Sequence, residues 1–205
     1  AVGVVKGDSA NIYTFGQKRP DQPGQPTADS YFEIGTLTKV FTTAMFQDMV
    51  NQGQLDPKAP ANHFLPDSIH LTSKGETPVQ LRHLATHTAG LPRVDEEYFY
   101  ERSRDIIRVS QNPYKNYTEA KLYQFTDEVT PLAKPGEELR YSNVGMALLG
   151  NILERVTKVS YDSLAEQYTE QMGLSKTKTH LASSIRERYV LPAYNRRQQK
   201  VPYWD

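Results

Sequence analysis

The chain has 205 residues, enough for one large domain or two small ones with a sizeable core. Lys plus Arg number 24 and Asp plus Glu also number 24, so no net charge draws the protein to nucleic acid or an anionic membrane. There is no Cys, which excludes disulfides, a thiolate nucleophile and Cys-based metal sites, and no apolar run approaches membrane-spanning length.

The chain opens on Ala1-Val-Gly-Val-Val5, which reads as mid-strand; it contains no signal peptide, and any N-terminal targeting segment is expected to have been removed or left out. Residues 1–5 and 11–16 read as two short strands joined by the turn-rich Gly7-Asp-Ser-Ala-Asn11. A Pro- and Gln-rich loop covers residues 17–30. Leu37, Val40, Phe41, Ala44, Met45 and Met49 then recur at helical spacing, with Gly53 as a stop. This helix is apolar over a wide face and is expected to be buried.

Residues 54–76, with three prolines, read as irregular. Thr77-Pro-Val-Gln80 has the form of an N-cap, a first-turn Pro and a capping-box partner, predicting a short helix to about His87 that Gly90-Leu-Pro92 ends. Thr118 can cap a helix carrying Leu122, Phe125 and Val129. After the Pro135-Gly136 turn, residues 138–141 look extended, and Ser142 or Asn143 can start a helix with Met146, Leu149, Ile152, Leu153 and Val156 on one side. A last helix fits residues 161–172, with Gly173 after it. A lone hairpin is marginal by itself, so the two strands are expected to belong to a larger antiparallel sheet that this chain does not complete.

Chemistry concentrates at Thr36 and Lys39. Three residues apart on a helix, they share a face at its N-terminus. A hydroxyl is a weak nucleophile until a base takes its proton, and a lysine can be that base if burial or nearby charge lowers its pKa. The positive end of the helix disfavours the ammonium and favours negative charge developing at Thr36. For an isolated Thr-x-x-Lys the alternative is a helix cap beside a solvated lysine. Gly35 ahead of the pair allows close approach of backbone to a ligand. Tyr141 and Asn143 form a second polar pair at the start of another apolar helix.

Three segments carry a family resemblance: Phe32-Glu-Ile-Gly-Thr-Leu-Thr-Lys-Val-Phe-Thr42, Leu81-Arg-His-Leu-Ala-Thr-His-Thr-Ala-Gly-Leu-Pro92 and Tyr141-Ser-Asn-Val-Gly-Met-Ala-Leu-Leu-Gly150. Together they resemble the serine hydrolases of the β-lactamase and penicillin-binding-protein type, on the branch with class C β-lactamases, D-alanyl-D-alanine carboxypeptidases and related esterases. The resemblance implies a mixed α/β (α+β) fold. Residues 1–35 would supply N-terminal strands of the sheet region, and residues 36–205 would form a mainly helical region carrying the active-site helix.

It further implies that Thr36 stands at the nucleophile position, Lys39 at the base and Tyr141 at the proton-transferring tyrosine. Asn143 would contact substrate, beside Gly35, and the Thr36 N–H would form half of an oxyanion hole. The implied reaction is acyl transfer through a covalent ester on a β-lactam, a D-Ala-D-Ala-type stem peptide or an ester, with no metal or organic cofactor. The implied location is periplasmic or secreted.

The sequence departs from the family pattern twice. Thr replaces Ser, and its methyl restricts χ1 in a tight site. The family's Lys-Thr-Gly or His-x-Gly strand motif has no counterpart before Asp205, so the resemblance implies one part of a longer protein and a complementing C-terminal fragment as partner. A catalytically impaired, ligand-binding homologue is the rival reading, and a structural fragment without a formed pocket is a third.

Weaker features point elsewhere. His83 and His87, four apart, have zinc-compatible spacing but no catalytic Glu between them and no third ligand, and in the resembling family this segment shapes the loop at residues 88–92. Asn116-Tyr-Thr118 is a glycosylation sequon, meaningful only in a secreted eukaryotic protein. Tyr98, Phe99 and Tyr100 fit packing under a long loop better than a substrate cleft. Arg186, Arg188, Arg196 and Arg197 read as a solvated face.

Overall fold

The computed structural model describes residues 1–18, 24–98, 114 and 116–185. Phe99, Tyr100 and the four C-terminal arginines lie outside the described residues. The described chain falls into two compact units: residues 1–18, 24–35, 114 and 180–185 in one, residues 36–98 and 116–179 in the other.

The first unit contains the expected hairpin. β1 (Val2–Lys6) pairs antiparallel with β2 (Ser9–Tyr13), with Val2 opposite Tyr13 and Lys6 opposite Ser9. Gly7, at φ +57°, opens the two-residue turn between them, a conformation that costs glycine little. Both faces of the ribbon are exposed, the apolar side chains of Val2, Val4, Val5, Ile12 and Tyr13 included.

The second unit is helical: α1 (Thr38–Asn51), α2 (Leu81–Ala85), α3 (Glu119–Glu128), α4 (Asn143–Thr157) and α5 (Tyr161–Gln171). Its centre is α4. Leu148, Leu149, Ile152 and Leu153 have no measurable exposure, and α1, α2, α3 and α5 all pack on this helix. Sequence accounts for its ends. Ser142 caps the N-terminus by accepting from Gly145 N–H at 2.9 Å, and Lys158, in the left-handed region at φ +61°, closes the C-terminus. Thr118 and Ser160 cap α3 and α5 in the same way.

Two expectations need correcting. α1 is not buried all round: Thr42, Met45, Phe46 and Met49 form its buried stripe, while Leu37, just ahead of it, and Val40 are each 61% exposed. The i, i+3, i+4, i+7 spacing of that stripe fits one packed face, directed at α4 and α5. Thr77 does not cap α2, which begins four residues later behind Gln80. The intervening backbone is committed to extended pairing: Ala61 N–H donates to the Val79 carbonyl at 2.8 Å, and Gln80 bridges Pro60. Gln80, expected as a capping-box partner, is itself the cap residue, and its N–H donates to His83 Nδ1 at 3.2 Å.

A small knot fixes α1 against α4 and α5. Thr42 Oγ1 and Tyr161 Oη are 2.6 Å apart, and the Tyr161 ring lies where a Cβ on Gly150 would come within 3.3 Å of it. Thr42 is one turn beyond Lys39, so this contact sets the rotation of the helix that carries the lysine.

Candidate active site

Thr36 sits in a single 3-10 turn, Gly35–Leu37, that leads directly into α1. Gly35 adopts φ +51°, and nothing lies within 4 Å of where its Cβ would be. Glycine is therefore required there by backbone conformation and not by crowding. Thr36 is exposed and Lys39 half-buried.

Tyr141 reaches the same place from the segment ahead of α4. Lys39 Nζ lies 5.1 Å from the centre of its ring, and the Arg93 guanidinium carbon lies 5.0 Å from it. The Tyr141 hydroxyl is buried and closes no hydrogen bond of normal geometry among the described residues. Burial alone would raise its pKa, but polar interactions with Lys39 and Thr36, together with the Lys39 and Arg93 charges, outweigh it and hold the phenol below its ordinary value. Thr36, Lys39 and Tyr141 thus converge. Asn143 follows two residues later as the first residue of α4, its N–H donating to the Arg93 carbonyl at 2.8 Å.

This placement depends on residues 87–93, which run alongside residues 132–143. Leu132 N–H donates to the Gly90 carbonyl (2.7 Å), Gly136 N–H to Thr88 (2.8 Å) and Arg140 N–H to His87 (2.7 Å). Ser142 Oγ donates to the Pro92 carbonyl at 2.7 Å. Gly90, at φ +74°, lies so close to the neighbouring chain that an added Cβ would stand 2.1 Å from the Ala133 carbonyl oxygen.

Two residues of this environment carry more than their sequence suggested. In the sequence Arg93 shows only as a basic residue directly after Gly90-Leu-Pro92. For His87 the sequence offers a zinc-compatible spacing and a place in a loop-shaping segment. Its Nδ1 accepts from Ser142 N–H at 3.2 Å, and its ring packs on Tyr141 with centroids 4.5 Å apart. Burial, then the Lys39 charge, push its pKa below the ordinary value. His83 also spends Nδ1 on a backbone N–H, and its pKa is lowered by burial and then by Arg82. Tyr98 packs edge-on against Tyr117, with ring centres 4.9 Å apart.

Solved structures share this architecture. A β-lactamase/D-alanine carboxypeptidase from Pseudomonas syringae superposes with a TM-score of 0.79 at 19% identity, covering 99% of this chain and 52% of its own. The octameric penicillin-binding protein homologue from Pyrococcus abyssi gives 0.76 at 26% identity, covering 98% and 45%. The fold is accordingly that of the β-lactamase/transpeptidase class. In sequence, the family profile described as Beta-lactamase matches residues 1–202. The chain belongs to that family of serine hydrolases, which spans β-lactamases and DD-peptidases. Among curated relatives, the D-alanyl-D-alanine-carboxypeptidase/endopeptidase AmpH of Escherichia coli K12 is 29% identical over 178 residues, 86% of this chain and 44% of its own length. The chain spans about half the length of the curated relatives it matches.

Proposed function

We propose that the protein is an acyl-transfer hydrolase of the β-lactamase and DD-peptidase kind that forms its covalent intermediate on Thr36. The observation that carries this reading is the convergence of Thr36 and Lys39 on a Tyr141 phenol held below its ordinary pKa. Thr36 Oγ1 attacks the acyl carbon while its proton passes to Lys39. The bond to the leaving amine or alkoxide breaks, and that group takes a proton relayed through Tyr141. Water then hydrolyses the ester and regenerates the hydroxyl. The Thr36 N–H supplies one donor to the developing oxyanion, and Gly35 keeps the backbone there open to substrate. Asn143 contacts the substrate. No metal or organic cofactor takes part.

The substrate classes are a β-lactam, a peptidoglycan stem peptide ending in D-Ala-D-Ala, or an ester. Lys39 and Arg93 flank one ring, and no ion pair to either is found among the described residues, which favours substrates bearing a carboxylate. In this reading residues 1–35 belong to the sheet region of the fold, and a complementing C-terminal part completes that sheet. The location is periplasmic or secreted; no helix among the described residues is long and apolar enough to cross a membrane.

A second reading is supported by the Thr36 methyl itself. A catalytically impaired relative would bind the same ligands without acylation. Intact-mass spectrometry after incubation with a fluorescent penicillin and, separately, an activated ester separates the two. A mass shift mapped to Thr36 and lost in Lys39→Ala is expected. Saturable penicillin binding with no adduct would replace the hydrolase with the binding protein.

A further inference from the structure

His87 grips the segment that presents Tyr141 from both of its flanks. Its carbonyl accepts from Arg140 N–H at 2.7 Å, and its Nδ1 accepts from Ser142 N–H at 3.2 Å. Between those two anchors its ring lies against the Tyr141 ring, 4.5 Å between centroids and tilted 38°. One residue therefore fixes the backbone on either side of the tyrosine and one face of its ring. His87 does this from φ +58°, in the left-handed region that a non-glycine residue enters at a cost. The left-handed turn closes the C-terminus of α2, with His87 N–H donating to the Leu84 carbonyl at 3.4 Å and Thr88 N–H to the His83 carbonyl at 2.9 Å, so the end of that helix holds His87 in the orientation that meets residues 140–142.

The geometry also selects a protonation state. An imidazole nitrogen that accepts a hydrogen bond carries no proton, so the neutral ring has its hydrogen on Nε2. Protonation would put N–H on Nδ1 facing the Ser142 N–H, two donors with no acceptor between them. It would also add positive charge where positive charge is already concentrated. Among the described residues, the charged and titratable groups near His87 are Lys39 from α1, Tyr141 and Arg140 from the segment ahead of α4, Arg140 being paired with Glu138, and, across the Tyr141 ring, Arg93.

We propose that His87 is a positioning residue for Tyr141, holding residues 140–142 through its carbonyl and ring, and that it does so only as the neutral Nε2–H tautomer. Its protonation releases the Ser142 N–H and loosens the phenol from Thr36 and Lys39. The consequence for turnover rests on the acyl-transfer reading above; the structural claim does not.

Two measurements keep those apart. Nitrogen-15 NMR of the whole chain across the histidine titration range reads the structural claim directly. A neutral Nε2–H ring is expected, with the Ser142 amide resonance shifting in step with His87 protonation. A neutral Nδ1–H ring, or a Ser142 amide that stays still while His87 titrates, would overturn the proposal.

The second measurement compares His87→Asn with His87→Gly in labelling by an activated ester. Both residues enter the left-handed region readily, but only Asn offers an acceptor near the position of Nδ1. Labelling at neutral pH is expected to fall about 10- to 100-fold in H87G, as for a displaced catalytic group. H87N should recover most of that loss and lack the acid-side decline contributed by His87. Equal rates in the two variants would overturn the positioning role. If even the parent chain is not labelled, acylation at Thr36 fails, while the NMR result still decides the claim about His87.

Discussion

At position 36 a methyl group shares the carbon that bears the reacting hydroxyl. It removes χ1 freedom from the hydroxyl and occupies space next to the acyl carbon that must approach. Thr36 is exposed and begins no regular α-helical turn of its own, so the methyl is not needed for packing. Thr36→Ser is therefore expected to leave stability nearly unchanged and to raise the rate of acylation by about 10- to 100-fold. Timed mass spectrometry with the activated ester measures this. A T36S rate no higher than the parent's would show that the methyl is accommodated and that the rate is limited elsewhere. The sequence made the Thr36–Lys39 pair legible because three-residue spacing on a helix is a local property. It could not make Arg93 legible, since an arginine after a Gly-Leu-Pro turn looks like any surface cation until the segment ahead of α4 brings the Tyr141 ring beneath it.

Among elements, the decisive one is the pair of irregular segments, residues 87–93 and 132–143, joined by backbone hydrogen bonds and passing in contact at Gly90. Gly90→Ala must meet both a positive φ and a carbonyl oxygen 2.1 Å from the new methyl, and no side chain can yield because the obstacle is backbone. A loss of about 3 kcal/mol or more is expected, together with loss of labelling at Thr36. Denaturant unfolding measures the first. Near-native stability in G90A would mean that the two segments are not held together as described. The helices themselves were largely readable. α3, α4 and α5 begin at the capping residues their sequences offer, because capping is local chemistry. Thr77 misled because Gln80 and Val79 pair with residues distant in sequence, and such pairing overrides a local cap signal. The wide apolar face of α1 misled in a different way: periodicity identifies a helix, but which of its apolar residues meet α4 and α5 is decided by tertiary packing.

For the molecule as a whole, two histidines tie stability to pH. His83 and His87 both have pKa values below the ordinary 6.5, with burial as the larger cause in each. Each accepts a backbone N–H at Nδ1 and must be neutral to do so. The unfolded chain therefore binds more protons than the folded one between the folded-state pKa values and about 6.5, so stability rises with pH through that window. The melting temperature is expected to be level above about pH 7 and to drop as the pH falls below about 6.5. A melting temperature that stays flat or rises from neutral to mildly acidic solution would contradict this. The lacing of residues 87–93 to residues 132–143 also imposes an order in time. Its bonds join parts of the chain some fifty residues apart, as from Ser142 to Pro92, whereas each helix forms from neighbours. Closing so long a loop costs entropy that only near-complete docking repays. On dilution from denaturant, helical signal is therefore expected to return no later than the contact of Tyr141 with Lys39, which needs both this lacing and the docking of α1.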